Sequence, residues 1–205
     1  MGYKESKFTD IEQYCKKTFG DIRGKYIYVE AEKRLAELTN EVDDRGSRAI
    51  KRHMSASMLP LIAYHLTLQK DGFSKEEAYN QSLNLAQSVA IKDAESYKKL
   101  GQMPFAYQIF KLACKKKMKQ GFPEEGWEIE WIRYDQEEIC FEMKRCIYHE
   151  IVSKYQCPEL CTVFCANDVT VFGAMAPNII FERTQTIGEG KNVCDFHFCN
   201  GKKRK

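Results

Sequence analysis

At 205 residues, 43% hydrophobic and 30% charged, the chain can bury a sizeable core and falls in the globular range, which excludes a disordered or fibrous protein. A formal net charge of +3 is small, and its basic excess sits in Lys115–Lys117 and Lys202–Lys205, read as a solvated helix end and a tail rather than a nucleic-acid surface. The longest apolar run, Met58 to Tyr64, falls far short of the roughly 20 residues a membrane span needs, so the expected partner is a small molecule, not nucleic acid or a membrane.

The first half reads as helical. Residues 28–44 are rich in Ala, Leu, Glu, Lys and Arg, with Val29, Leu35, Leu38 and Val42 as the apolar stripe, and Gly46 interrupts them. A second helix is predicted from Ser47 toward Lys70, with Met54, Met58, Leu61, Ile62, His65 and Leu66 on its buried side. Pro60 kinks it or marks its true first turn, and Asp71-Gly72 stops it. Ser74-Lys-Glu-Glu77 has capping-box spacing and opens a helix of about two dozen residues. Pro104 and Phe105 begin another, ending in the lysine cluster before Gly121. Surplus apolar residues such as Met54 and Leu66 also leave a homo-oligomer open.

After Gly121-Phe-Pro123 the period changes. Trp127-Glu-Ile-Glu-Trp131 and Ile139-Cys-Phe141-Glu-Met143 alternate bulky and charged residues, predicting two half-buried strands with a turn near Asp135. A short helix over 148–155 and one from Pro158 toward Phe172 follow. Residues 178–187 and 192–199 then form an antiparallel hairpin across Gly188-Glu-Gly190. The fold class is α+β: a helical N-terminal half packed with a C-terminal antiparallel sheet of about four strands. One domain over 1–205 is expected, helical to about residue 120, sheet-containing over 121–199, with a basic tail at 200–205.

Nine cysteines cannot all pair, and the first twenty residues are polar, with no apolar signal core. Both point to free thiols in a reducing cytoplasm, most of them small buried hydrophobes. Cys161, Cys165 and Asp168 fall at i, i+4 and i+7 of the helix after Pro158 and so share one stripe. A carboxylate there needs a partner, and Arg183 is the obvious one. In the last strand Cys194, Phe196 and Phe198 project to one face, while Asp195, His197 and Cys199 project to the other. If Gly188 and Lys191 close the turn, Arg183 lies opposite Phe196; a slip of one residue moves it away. Neither Cys-x3-Cys-x3-Cys nor Cys194-x4-Cys199 has zinc-ribbon spacing, so no metal or other cofactor is expected; a set of Cys146, Cys165, Asp168 and Cys194 stays open as the metal-binding alternative.

Cys165-Ala-Asn-Asp168, Phe181-Glu-Arg183-Thr-Gln-Thr186-Ile-Gly188 and Cys194-Asp195-Phe196-His-Phe198, with Met58-Leu-Pro-Leu-Ile-Ala-Tyr64 upstream, resemble the L-2-amino-thiazoline-4-carboxylic acid hydrolase family. The resemblance implies a hydrolase that opens a cyclic amidine-like C–N bond in a small carboxylate substrate. On that reading Arg183 takes the substrate carboxylate, with Thr186 and Phe196 beside it. Asp168 holds the amidinium, Cys194 is the nucleophile or proton-transfer group, and Cys165 and Asp195 support them. A ligand-binding or sensing module built on the same pocket is the competing expectation.

Overall fold

The computed structural model describes residues 2–203, so Arg204 and Lys205 of the expected basic tail lie outside the described residues. The chain divides into two compact units, Met1–Val89 and Ala90–Lys205.

The first unit contains α1 (Ile11–Phe19), α2 (Asp21–Glu41), α3 (Arg48–His53), a π-helical turn (Met54–Met58), α4 (Leu59–Lys70) and the start of α5 (Lys75–Gly101). The helix expected over 28–44 begins earlier, and its buried stripe is Gly24, Ile27, Tyr28, Ala31, Leu35 and Leu38; Val29 and Val42 are only half-buried. Pro60 explains the interruption between α3 and α4. It has no N–H to offer the carbonyl four residues back, and that carbonyl, of Ala56, instead accepts from the amide of Lys7 at 2.9 Å. The π turn therefore ties down the N-terminal segment, and the Tyr3 hydroxyl adds a bond to the Pro60 carbonyl at 2.8 Å. The capping box forms as expected: the Glu77 amide donates to Ser74 Oγ at 3.2 Å and the Ser74 amide to Glu77 Oε2 at 2.8 Å.

The second unit holds the end of α5, α6 (Ala106–Gly121), β1 (Trp127–Tyr134), β2 (Glu138–Cys146), α7 (Ile147–Lys154), α8 (Leu160–Gly173), β3 (Ile179–Glu182) and β4 (Cys194–Asn200). The strands form one four-stranded sheet in the order β1-β2-β4-β3, and every neighbouring pair is antiparallel. The fold is α+β, and among the described residues no helix is long and apolar enough to cross a membrane. Among the described residues, which include all nine cysteines, no disulfide forms.

One sheet face is a bed of aromatic rings. Phe141 and Phe196, opposite each other across β2 and β4, stack at 4.9 Å with planes 6° apart. Phe198 meets Phe110 of α6 at 4.9 Å, Phe172 of α8 at 5.3 Å and Phe181 of β3 at 4.9 Å. Ring packing at these separations adds to ordinary burial, so this cluster locks α6 and α8 onto the sheet and fixes its register. The expected hairpin is shorter than its sequence pattern: β3 stops at Glu182, and the connection contains a 3₁₀ turn at Ile187–Glu189 instead of a tight glycine turn. Phe198→Ala should destabilise the protein by about 3–5 kcal/mol, read as a lower urea midpoint; a loss below about 1 kcal/mol would show that the ring bed does not hold the unit together.

Candidate active site

Helix α8 presents Cys161, Cys165, Asp168 and Phe172 along one stripe, and the aromatic contacts of Phe172 turn that stripe toward the sheet. The pairing of Phe181 with Phe198 and Glu182 with His197 sets the register, so the next step brings Arg183 opposite Phe196. Its guanidinium lies over the Phe196 ring at 5.4 Å. Arg183 Nη1 donates to Asp168 Oδ2 at 2.9 Å, and Nη2 donates to the Cys165 carbonyl at 2.6 Å. The Arg183 side chain is only 6% exposed, against 36% for Asp168, so the guanidinium end of the pair is enclosed and the carboxyl end half-buried.

The sulfurs of Cys146, Cys161, Cys165 and Cys194 neighbour one another in that order, and their proton affinities alternate. Cys165 is held well below the usual thiol range by the Cys161 and Cys194 thiols facing it, helped by Arg183 and the Thr186 hydroxyl. Cys161 and Cys194 are pushed well above it, each by a sulfur beside it and by burial. Cys146, at the start of α7, is lowered chiefly by Cys161 and then by the amides of His149 and Tyr148. Burial pushes the Asp168 carboxyl up to about 7; Arg183 pulls against it and negative charge on Cys165 adds to it. One guanidinium thus faces two acids, which are shifted in opposite directions, the sulfur down and the carboxyl up.

The hairpin connection is built to close over these groups. Thr186, 3% exposed, caps the 3₁₀ turn by accepting from the Glu189 amide at 3.2 Å, and its hydroxyl meets the Glu189 carboxylate at 2.9 Å. The Ile187 amide donates to Cys194 Sγ at 3.2 Å. Gly190 ends the turn at φ 79°, a conformation that favours glycine. At Gly188 a side chain would bring its Cβ to 3.1 Å from Cys161 Sγ, so the turn lies directly on the thiol.

Asp195 is turned away from this cluster by strand alternation. Its carboxylate accepts from the Thr184 amide at 3.0 Å, the Thr184 hydroxyl at 2.7 Å and the Gln185 amide at 2.8 Å. Burial alone would raise Asp195, but these bonds prevail and hold it low. They also explain the short β3: beyond Glu182 a side chain takes the amides that a longer ladder would have used.

A family model, L-2-amino-thiazoline-4-carboxylic acid hydrolase, matches residues 51–198, from α3 through β4. The chain belongs to this family. Comparison with curated proteins and with solved structures finds no match.

Within this hydrolase-family chain, Cys165, Asp168, Arg183, Thr186, Cys194 and Phe196 converge, whereas Asp195 acts from the far face of the sheet. Sequence reasoning passed over Tyr148 and weighed Cys146 only as a metal ligand. Tyr148 packs edge-on against Phe164 at 4.8 Å, and its hydroxyl is raised by burial and then by Cys146, Asp168 and Cys161. The available signal was a cysteine at a strand end immediately before a helix. An open depression lined by Phe19, Gly20, Asp21, Ile22, Arg23 and Tyr26 lies in the first unit and contains none of these groups.

Because the Asp168 carboxyl rises from 3.8 to about 7 on folding, its protonated form is the one the fold favours. Its stabilising contribution is complete below about pH 4 and is lost as pH rises through 7. Asp168→Asn should therefore gain in melting temperature relative to the unsubstituted protein between pH 5 and pH 8. A constant difference across that range would contradict the raised carboxyl.

Proposed function

We propose that this family member is a hydrolase that opens a cyclic amidine-like C–N bond in a small carboxylate, using Cys165 as nucleophile and Asp168 as general acid. The observation that carries the reading is the opposite displacement of two groups that share Arg183: a thiol lowered into the ionised form and a carboxyl raised to about 7. Titratable neighbours pushed apart in this way divide into base or nucleophile and acid. The sequence had suggested Cys194 as the attacking sulfur with Cys165 in support; the electrostatics favour the reverse, with Cys194 as the thiol facing the nucleophile.

In this mechanism the Cys165 thiolate adds to the amidine carbon. The ring C–N bond then breaks, its electron pair goes to the nitrogen, and that nitrogen takes the Asp168 proton. Water adds to the same carbon and gives one proton to the Asp168 carboxylate; the bond to Cys165 then breaks, returning the thiolate, and the remaining hydroxyl proton passes to the freed amine, leaving a carbonyl on that carbon. The Cys161 and Cys194 thiols, helped by Arg183, keep the sulfur ionised, and Arg183 offers its remaining N–H donors to the substrate carboxylate, with Phe196 as its platform. Thr186 lines the sulfur, and Asp195 acts through the 184–187 connection, which it holds in place.

The test is ring opening of 2-amino-thiazoline-4-carboxylate by the purified chain, followed as an S-carbamoyl product with a newly freed amine. Cys165→Ser should lower kcat by about a thousandfold or more, and Asp168→Asn by roughly 100-fold. Since the acid must carry its proton, kcat/KM should fall as pH rises through 7, and Asp168→Asn should flatten that limb. Binding without product would assign a sensor instead. Alkylation mapped at pH 6 should mark Cys165 ahead of the other thiols; Cys194 labelled first would return the nucleophile to the hairpin.

A further inference from the structure

The sheet face opposite the thiol cluster carries a second constellation that the proposed hydrolysis does not use. Glu138 and Cys199 are directly paired across β2 and β4, His197 lies two residues along β4 on the same face, and Glu182 of β3 is paired with His197. The ligand atoms of Glu138, His197 and Cys199 all fall within 4.8 Å of one another. His197 Nε2 is 3.2 Å from Cys199 Sγ and 2.5 Å from Glu138 Oε2.

The geometry points to a transition-metal site, of the zinc class, formed by Glu138 Oε2, His197 Nε2 and Cys199 Sγ. The donor set of one thiolate, one imidazole and one carboxylate suits zinc, and hard cations such as magnesium take all-oxygen sites instead. Bond lengths of about 2.0 Å to nitrogen and 2.3 Å to sulfur place tetrahedral N and S ligands about 3.5 Å apart, close to the separation here. Tetrahedral N and O ligands at about 2.0 Å from a metal lie farther apart than the 2.5 Å between His197 Nε2 and Glu138 Oε2, so metal binding requires the Glu138 carboxylate to shift outward. Coordination by Cys199 releases its thiol proton.

The supporting contacts are those that metal ligands use. The second nitrogen of His197, Nδ1, has Glu182 Oε2 at 3.6 Å, so a carboxylate stands within reach of the Nδ1 proton that a metal on Nε2 requires. The other oxygen of Glu138, Oε1, is held by Arg133. All the groups except Arg133 come from three adjacent paired strands, so the backbone ladder presets their spacing. His197 is 33% exposed and Glu138 22%, which admits an ion and leaves a fourth position to water. This set shares no residue with Cys146, Cys165, Asp168 and Cys194, the combination that spacing alone had left open.

The test is titration of the full chain, stripped with a chelator, with Co²⁺ and then Zn²⁺. One equivalent of Co²⁺ should bind with a thiolate-to-cobalt charge-transfer band and be displaced by Zn²⁺. Cys199→Ser should abolish the band, and Glu182→Gln should weaken affinity roughly tenfold. Cys165→Ser should leave both band and affinity unchanged. Absence of saturable binding overturns the proposal, as does a band that survives Cys199→Ser and vanishes in Cys165→Ser, which would put the metal on the buried thiols. His197→Gln, at a half-exposed position, gives a second ligand deletion with little demand on folding; an unchanged affinity there also overturns it.

Discussion

The candidate site depends on one nearly buried positive charge. Arg183 is held by a carboxylate and a backbone carbonyl on the same helix and lies over an aromatic ring, so its position is set from several sides. A single guanidinium in low-dielectric surroundings stabilises about one negative charge; a second costs energy. Cys165 and Asp168 both lie beside it and shift in opposite directions: the facing Cys161 and Cys194 thiols, helped by Arg183, lower the sulfur, and burial raises the carboxyl to about 7 against the pull of Arg183.

What sets Arg183 in place is the register of β3 against β4, and that register is set by rings. The stacked pair of Phe141 and Phe196 and the convergence of Phe110, Phe172 and Phe181 on Phe198 make a one-residue slip costly, because it would turn the whole aromatic set to the other face. The same pleat then divides the chemistry. Even-numbered β4 residues and Cys194 lie on the helix-covered face with the thiols, and the alternate residues Asp195, His197 and Cys199 lie with Glu138 and Glu182 on the other. Asp195 links the two, since a carboxylate on the open side holds the connection that carries Thr186 and Ile187 over the thiols.

Much of the fold was legible because it follows from local rules. The alternation of Trp127 to Trp131 and of Ile139 to Met143 named two strands, Ser74 to Glu77 named a helix start, and i, i+4, i+7 spacing named the stripe of Cys161, Cys165 and Asp168. The N-terminal helices were read less completely. The start of α2 carries Gly24 and several exposed polar residues, so its pattern is weak; Gly24 is buried with the α1 backbone pressed against it, a contact no local pattern reveals. The end of β3 was also missed, because residues 183–187 have strand-like composition while a distant side chain takes their amides.

The family motifs, the α+β class, the stripe on α8 and the alternation of β4 were determined by the sequence itself, since each rests on periodicity or on residues close along the chain. The tertiary structure alone decided that the sulfurs of Cys146, Cys161, Cys165 and Cys194 meet beside Arg183, that burial raises Asp168, and that Glu138, His197 and Cys199 gather on the far face. Proton affinity depends on burial and on charges brought together from separate elements. Those quantities come into being only when α8 and the sheet are packed in one register.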